Sequence, residues 1–284
     1  MTKAFCPGHI TCFFSPVITE DVMTTGSIGA GIRLNKGVFV TVEERRDHKV
    51  TITMDGKGCA AGITECAIGT MAPGRGFDVT VENELPVSQG MGMSAAGAIA
   101  AALCVASLTG ADEHEAYKAA HMAEIKNKGG LGDVAGIMGG GQPVRVRAGL
   151  PPFGRVIDTK IRMKVTIAVL GGRMDTGSIL SDGKKMGRIT ASGAGCVNEF
   201  INIRTEKALY DLSERFSDSA GLGTKEVREA LSKLRKDRRA SMCMLGNSIF
   251  TDADERTARE ILGDDVQLIS CTTDGGGPGL IRKA

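Results

Sequence analysis

The sequence predicts an α+β fold made of two domains, and three features of the chain lead to this prediction. Short β-branched runs in the first half give way to helical patterns, whereas the second half alternates strands with helices. Between the halves, Ala148–Arg155 holds two glycines and two prolines, residues that interrupt regular elements. We therefore expect an N-terminal domain at residues 1–150 and a C-terminal domain at residues 156–284, each within the ~100–200 residues usual for a domain.

The first domain is predicted to contain strands, then an alanine-rich helix. Val38–Glu43 and Lys49–Met54 are β-branched runs separated by charged residues, which indicates a hairpin. Phe77–Glu82 alternates apolar and polar residues, as a half-buried strand does. Ser94–Leu108 is rich in alanine and is followed by Gly110, a typical residue at a helix C-terminus.

A second helix and a returning strand complete the first domain. Asp112 is suited to begin this helix, and Glu115 stands three residues later in the position of a capping box. The helical pattern extends to about Asn127, and Pro143–Arg147 reads as a strand.

The second domain shows the pattern of a small α+β layer with a two-helix insertion. Its predicted elements are, in order, a strand at Met163–Leu170, a long helix at about Arg188–Phe216, a helix at Thr224–Lys236, a strand at Ser241–Phe250, a helix at Asp254–Leu262 and a strand at Val266–Cys271.

Composition excludes two classes of partner. Lys and Arg number 35 against 33 Asp and Glu, so the chain lacks the broad positive field that attracts nucleic acid or an anionic membrane. Aromatic residues are only 4% of the chain, which leaves few platforms for stacking bases. The longest apolar run, Ala95–Leu108, is shorter than the ~20 residues that cross a bilayer. We expect neither nucleic acid nor a membrane as a partner.

The cysteines and the N-terminus indicate a cytoplasmic protein. The eight cysteines form no Cys-x-x-Cys pair, and several lie inside apolar runs, as reduced thiols do. The N-terminus carries no apolar leader segment.

A glycine-rich loop opens the alanine-rich helix and is suited to bind an anion. Gly90 and Gly92 stand directly before a first turn that carries Ser94, Ala95 and Ala96. Helix N-termini present unpaired amides and a positive dipole end, and glycines let a phosphate approach the backbone closely. A tight turn packed against a neighbouring element is the alternative interpretation.

Two better-known phosphate loops do not fit this segment. The chain contains no Gly-x-x-x-x-Gly-Lys-Ser/Thr sequence, which excludes a P-loop. Gly90, Gly92 and Ala95 match the spacing of a dinucleotide loop, but Asn83–Gln89 separates them from the preceding strand. Asp112, in the position of the ribose-binding acid, instead begins a helix. A nicotinamide cofactor is therefore not expected.

Two carboxylates accompany a second glycine loop. Asp133 follows three glycines, where it can cap a short turn or can orient and deprotonate a hydroxyl near a phosphate. Glu124 lies on the small-residue face of the second helix, and an inward carboxylate needs a partner such as Mg²⁺. A charge at the edge of the buried face is the alternative for Glu124.

Together these segments resemble the GHMP kinases, the superfamily of galactokinase and of homoserine, mevalonate and phosphomevalonate kinases. The motif Pro-x3-Gly-Leu-Gly-Ser-Ser-Ala-Ala is matched by Pro86–Ala96, with Glu124 and Asp133 downstream. Within the superfamily, the chain is most similar to the archaeal pantoate kinases in four segments. These are Pro7–Phe14, Gly26–Ile32, Gly130–Val134 and Met244–Phe250.

The resemblance implies a fold and an activity. The expected fold joins an N-terminal domain like domain 2 of ribosomal protein S5 to a ferredoxin-like C-terminal domain. The expected activity is ATP-dependent phosphorylation of (R)-pantoate to 4-phosphopantoate in archaeal coenzyme A biosynthesis, with Mg²⁺. The alternatives are another small-molecule kinase of the superfamily, acting on homoserine, mevalonate or shikimate, and a non-catalytic nucleotide- or RNA-binding protein. A homodimer is compatible with the sequence.

The resemblance also implies roles for individual residues. Asp133 would act on the substrate hydroxyl, Ser94 and Glu124 would bind Mg²⁺, and Ser27 and Arg145 would bind the carboxylate of pantoate. The ATP-binding residues would be Pro86, Gly90, Gly92, Ser94, Ala95 and Ala96.

One residue near these motifs has an expected structural role, and two positions depart from the family pattern. His9 is expected to be a structural loop residue bonded to the backbone. Met93 replaces the first serine of the family motif, which removes one hydroxyl from the phosphate loop. The third family motif is reduced to Met244–Asn247, so its contact with phosphate is an open question.

Overall fold

The computed structural model describes residues 1–174 and 182–281, which form two β-sheets with helices packed on them. The α+β class predicted from the sequence is confirmed. Over residues 1–158 the elements are β1 (Thr2–Val17), β2 (Gly26–Arg45), β3 (Val50–Met54), β4 (Lys57–Gly58), α1 (Gly62–Met71), β5 (Gly76–Asn83), α2 (Met93–Thr109), α3 (Glu113–Lys126), α4 (Asp133–Met138), β6 (Pro143–Arg147) and β7 (Arg155–Asp158).

The remaining elements form the second sheet and its helices, apart from the last strand. They are β8 (Lys164–Val169), α5 (Gly183–Ile203), α6 (Glu206–Ala220), α7 (Lys225–Leu234), β9 (Ala240–Met242), β10 (Ser248–Thr251), α8 (Glu255–Leu262), β11 (Gln267–Thr272) and β12 (Gly279–Ile281). No helix within the described ranges is both long and apolar enough to cross a membrane.

The first sheet is built around two long antiparallel strands, β1 and β2. Its order is β12-β1-β2-β5-β3-β4, and β6 also pairs with β2 and carries β7 at its far side. The pairing of β1 with β2 is irregular between Pro7 and His9 and again between Thr11 and Phe13. Such bulges turn side chains away from a regular alternation, and here they bracket His9 and Thr11.

Helix α2 packs against the first sheet and against the helices α1 and α3. Its residues from Ala95 to Ala106 are all buried, and it packs against α1, α3, β1 and β2. Alanine and glycine make this close packing on several sides possible, because their small side chains let other elements approach the helix. The predicted helix, its C-terminal Gly110 and the start of α3 at Asp112 are confirmed, and the Asp112 side chain accepts a hydrogen bond from the His114 amide.

Three predictions about single elements are wrong. The strand β3 pairs in parallel with β5 and does not form a hairpin with β2, because β1 and β5 already occupy the edges of β2. The predicted long helix is two helices, α5 and α6, separated at Arg204, which has a positive φ of 48°. The predicted strand Ser241–Phe250 is the hairpin β9–β10, with a turn at Leu245 (φ 64°).

Two strands from the predicted second domain pair with the first sheet. These are β7, which pairs with β6, and β12, which pairs with β1. The second sheet, in the order β11-β8-β10-β9, is entirely antiparallel. The division at residues 150 and 156 stays a prediction.

Candidate active site

A cavity of about 500 Å³ opens where the N-terminus of α2 meets the loop between α3 and α4. The β9–β10 turn, the strands β1, β2 and β6, Ile63 of α1 and the segment Arg173–Met174 after β8 also line it. Seven of the predicted site residues line this one cavity: Ser27, Gly90, Gly92, Ser94, Glu124, Asp133 and Arg145. Pro86, Ala95 and Ala96 are not part of its wall, since the two alanines are buried within the first turn of α2.

The glycine loop places the N-terminus of α2 at the cavity. Gly90 and Gly92 have positive φ angles of 76° and 60°, and Gly92 is the N-cap of α2. The first helical hydrogen bond runs from the Ala96 amide to the Gly92 carbonyl and is 3.0 Å long. The amides of Met93–Ala95 therefore have no carbonyl partner within the helix. This arrangement is suited to an anion such as a polyphosphate.

The β9–β10 turn packs closely against the backbone of the glycine loop. A Cβ on Gly90 would lie 2.6 Å from the Cys243 carbonyl oxygen, and one on Gly246 would overlap the backbone of Gln89. The Ser248 hydroxyl donates a 2.6 Å hydrogen bond to the Gln89 carbonyl. The reduced third motif therefore packs against the loop, while Met244 and Leu245 also face the cavity.

Glu124 is buried beside the start of α2. Only 3% of its surface is exposed, and its Oε1 accepts a 2.6 Å hydrogen bond from the Ser94 hydroxyl. Burial raises the pKa of Glu124 to about 7, and the negative charge of Asp133 adds to the rise. A Cβ on Gly130 would lie 2.8 Å from Glu124 Oε2 and 3.2 Å from Asp133 Oδ2, so both carboxylates approach the same point of the backbone.

This set of donors fits Mg²⁺ when it is completed by phosphate oxygens. The Glu124 carboxylate and the Ser94 hydroxyl offer the hard oxygen ligands that Mg²⁺ prefers. In residues 1–174 and 182–281 no group of three or more His, Cys, Asp or Glu side chains is placed to hold a metal without further ligands. Magnesium is commonly bound by one or two carboxylates together with substrate phosphates and water, which agrees with this set.

We expect Glu124→Gln to stabilise the ligand-free protein increasingly as the pH rises. The pKa of Glu124 is raised from 4.5 to about 7 in the folded chain, so folding disfavours its charged form. The resulting penalty is absent below pH 4.5, grows as the pH rises towards 7 and is then constant at ~3 kcal/mol. Urea unfolding at pH 5.5 and 8.5 measures the difference.

The matched control for this experiment is Glu115→Gln on the same helix. The Glu115 side chain is about half exposed and pairs with Lys118, so its replacement should have a small effect at both pH values. An equal gain for Glu124→Gln at both pH values would contradict the burial of a carboxylate with a raised pKa.

Asp133 begins α4 and is held by two groups of β1. Its Oδ1 lies 2.8 Å from His9 Nδ1 and accepts a 3.4 Å hydrogen bond from the Thr11 hydroxyl. Burial alone would raise the pKa of Asp133, but the hydrogen bond from His9 and the nearby charge of Arg145 hold that pKa below its usual range. Asp133 is therefore charged at neutral pH.

Arg145 presents an unpaired guanidinium group to the cavity. The residue is 1% exposed, and its three side-chain nitrogens have no hydrogen-bond partner in the part of the chain that the structure describes. A Cβ on Gly132 would lie 2.7 Å from Arg145 Nε and would press against the Ser27 hydroxyl. Asp133 is close enough for its charge to act on Arg145, but it forms no hydrogen bond with the guanidinium. A buried cation with unpaired N–H groups is unfavourable, so this arrangement favours an anionic ligand such as a carboxylate.

The sequence interpretation missed the part played by β1. His9 does not lie in a loop or bond to the backbone through its ring, as expected; it lies in β1 and bonds to the Asp133 carboxylate. Thr11 was not considered. The available signal was the resemblance of Pro7–Phe14 to a family motif, which marked the segment without indicating its contacts.

Comparison with known proteins agrees with this site. Residues 57–141 match the family model "GHMP kinases N terminal domain", a segment that contains the glycine loop, Glu124 and Asp133. The chain is 33% identical over 279 residues to a protein named pantoate kinase from Thermococcus kodakarensis, which covers 93% of this chain and 92% of the relative.

Two solved structures share the fold. A protein described as a phosphotransferase related to the CoA biosynthesis pathway superposes with a TM-score of 0.89 at 29% identity, over 99% of this chain and 98% of the other. The mevalonate kinase of Methanococcus jannaschii superposes with a TM-score of 0.68 at 14% identity, over 96% of this chain and 98% of the other. The fold expected from the resemblance is thereby confirmed. With this degree of identity along nearly its whole length, the chain belongs to the GHMP kinases and, within them, to the pantoate kinase family.

Proposed function

We propose that this chain is an ATP-dependent kinase that phosphorylates the C4 hydroxyl of (R)-pantoate to give 4-phosphopantoate, in archaeal coenzyme A biosynthesis. The observation that carries the proposal is the pair formed by Asp133 and Arg145 in one cavity. A charged carboxylate can orient a hydroxyl, and an unpaired buried guanidinium can bind a carboxylate. The name of the Thermococcus relative supports pantoate over the other acceptors.

The phosphates of ATP are proposed to bind at the glycine loop. The amides of Met93–Ala95, placed by Gly90 and Gly92, would face the phosphate oxygens. Pro86, Ala95 and Ala96 would contribute by shaping the loop and the first turn. Ser94 and Glu124 would hold Mg²⁺, which when bound neutralises charge on the transferred phosphoryl group.

Asp133 would orient the acceptor hydroxyl and receive its proton. In the proposed step, the C4 oxygen of pantoate forms a bond to the γ-phosphorus of ATP. The bond between that phosphorus and the β,γ-bridging oxygen breaks, its electron pair leaves with ADP, and the hydroxyl proton passes to Asp133. A carboxylate with a lowered pKa is a weak base, which suits a transition state in which the hydroxyl loses its proton late.

Arg145 and Ser27 would fix the other end of pantoate. The guanidinium can form two parallel hydrogen bonds to the carboxylate, and the Ser27 hydroxyl lies beside it across Gly132. Binding of the carboxylate at Arg145 would set the distance at which the C4 hydroxyl meets Asp133.

Gly132→Ala should weaken pantoate binding without affecting ATP. Its Cβ would push against Arg145 Nε and the Ser27 hydroxyl, while the φ of −154° at Gly132 lies outside the left-handed region that favours glycine. Disturbing one charge-assisted hydrogen bond costs ~1.5–3 kcal/mol, so the KM for pantoate should rise about 10–100-fold. Steady-state kinetics in both substrates checks this. The control is Gly195→Ala, where a Cβ meets nothing within 4 Å.

The cellular setting is also part of the proposal. All eight cysteines are free, which is typical of a reducing compartment such as the cytoplasm. A homodimer is compatible with the proposal. We propose that residues 1–150 form the domain that carries most of the site and that residues 156–284 form the second domain.

The direct test is ADP release with a panel of acceptors. The purified protein with ATP and Mg²⁺ is assayed with pantoate, homoserine, mevalonate and shikimate, and the product is identified by ³¹P NMR. We expect turnover with pantoate and formation of the C4 phosphate ester. Equal turnover with homoserine would favour another kinase of the superfamily, and ADP release with none of the four would contradict the proposal.

A further inference from the structure

The histidine in β1 contacts one oxygen of Asp133 and leaves the other oxygen to the cavity. His9 is fully buried, and its Nδ1 lies 2.8 Å from Asp133 Oδ1. The Thr11 hydroxyl contacts the same oxygen at 3.4 Å. Asp133 Oδ2 is therefore the oxygen that neither residue holds. An ionised carboxylate only accepts hydrogen bonds, so His9 Nδ1 must carry the proton.

The other side of the ring is closed. His9 Nε2 is buried and has no hydrogen-bond partner within the described ranges. A Cβ on Gly136 would lie 2.6 Å from Nε2, and one on Gly31 would overlap the same atom. The ring thus fits a slot between two glycines, and no group in residues 1–174 or 182–281 is placed to accept or supply a proton at Nε2.

The electrostatic surroundings keep this ring neutral. Burial lowers the pKa of His9, although its hydrogen bond to Asp133 opposes the change. Arg145 and Arg33 add to the lowering because a second positive charge near them is unfavourable. A neutral ring whose Nε2 is buried without a partner can donate one hydrogen bond from Nδ1, but it cannot pass a proton on through Nε2.

We propose that His9 is a positioning residue that fixes Asp133 Oδ1 through its Nδ1–H, so that Oδ2 stays directed at the acceptor hydroxyl, and that His9 takes no part in proton transfer. The inference depends on the proposed role of Asp133. It differs from a relay, in which the ring would take up a proton during each turnover.

The first test compares two replacements of His9. In His9→Asn the amide nitrogen takes the place of Nδ1 and keeps a donor, whereas His9→Leu has none. We expect His9→Leu to lower kcat ~10²-fold, the cost of a misplaced catalytic group, and His9→Asn to recover most of that loss. The KM values for ATP and pantoate should stay within about threefold of wild type.

The pH dependence of kcat separates positioning from proton transfer. His9→Asn should keep the wild-type shape of the profile, because the neutral ring does not titrate in the cycle. Loss of one limb of the profile in His9→Asn would overturn the proposal. So would equal kcat losses in His9→Asn and His9→Leu when both variants keep the wild-type Tm. Absence of pantoate phosphorylation by the wild type would instead contradict the proposed function.

A second variant tests the slot without changing His9. The three atoms nearest to a Cβ on Gly136 all belong to the His9 ring, at 2.6, 2.8 and 3.1 Å. Gly136→Ala should therefore displace the ring and lower kcat by at least about tenfold. The shorter side chain in the double variant His9→Asn/Gly136→Ala should relieve the overlap and return kcat to the level of His9→Asn. Additive losses in the double variant would show that Gly136 acts independently of the ring and would overturn the proposal.

Discussion

Replacing Asp133 by asparagine is expected to lower kcat for pantoate phosphorylation by about 10²–10⁴-fold, the usual cost of losing a general base. Asparagine keeps the shape of the side chain and an oxygen for the His9 Nδ1–H, so the local structure should persist. It lacks the negative charge that orients the hydroxyl and receives its proton. The glycine loop is unchanged, so ATP should bind with wild-type affinity.

Single-turnover phosphoryl transfer and calorimetric titration with ATP measure the two effects separately. The control is Asp211→Asn, which should retain wild-type kcat because Asp211 is an exposed aspartate on α6 that pairs with Lys207. If Asp133→Asn keeps more than about a tenth of the wild-type kcat, then Asp133 does not act on the acceptor hydroxyl.

Replacing Arg145 by methionine should raise the KM for pantoate by about 10²-fold or more, since two charge-assisted hydrogen bonds are lost at ~1.5–3 kcal/mol each. The KM for ATP should change less than about threefold, because Arg145 is at the opposite end of the acceptor from the phosphate loop. Methionine also fills much of the volume of the arginine without its charge.

For the same variant, we expect weaker pantoate binding without a loss of thermal stability. Without substrate, the guanidinium has no hydrogen-bond partner among the described residues, and burial lowers the pKa of Arg145 in spite of the nearby charge of Asp133. Because burial outweighs that attraction, removal of the charge should leave the Tm equal or higher. Pantoate should raise the Tm of the wild type and should not raise that of Arg145→Met. Arg147→Met, two residues later on the same strand and exposed, is the matched control and should respond like the wild type. An unchanged KM for pantoate in Arg145→Met would refute the carboxylate site.

Local signals predicted the half of the cavity that lies at the start of α2. Glycines before an alanine-rich run, the terminal Gly110 and the capping Asp112 each act within a few residues, so α2 and the loop that opens it could be predicted. The inward position of Glu124 followed from helical periodicity, and the structure shows it buried. Pro86, Ala95 and Ala96 were assigned by motif alone, and the cavity wall does not include them.

The parts that sequence reasoning missed depend on contacts between distant residues. The strand β1 is buried on both faces for most of its length, so it lacks the alternation that marks a half-buried strand. The pairing of β3 with β5 joins strands that are separated along the chain by β4 and α1, while β1 and β5 border β2. The contact between His9 and Asp133 joins residues 124 positions apart, and no local pattern indicates it.

A crystal structure with a non-hydrolysable ATP analogue, Mg²⁺ and pantoate tests the central claim most directly. We predict the terminal phosphates over the amides of Met93–Ala95, with the metal on the side of Ser94 and Glu124. The carboxylate of pantoate should lie on Arg145 and its C4 hydroxyl at Asp133 Oδ2. A nucleotide bound away from the start of α2, or pantoate with its carboxylate turned away from Arg145, would contradict this account.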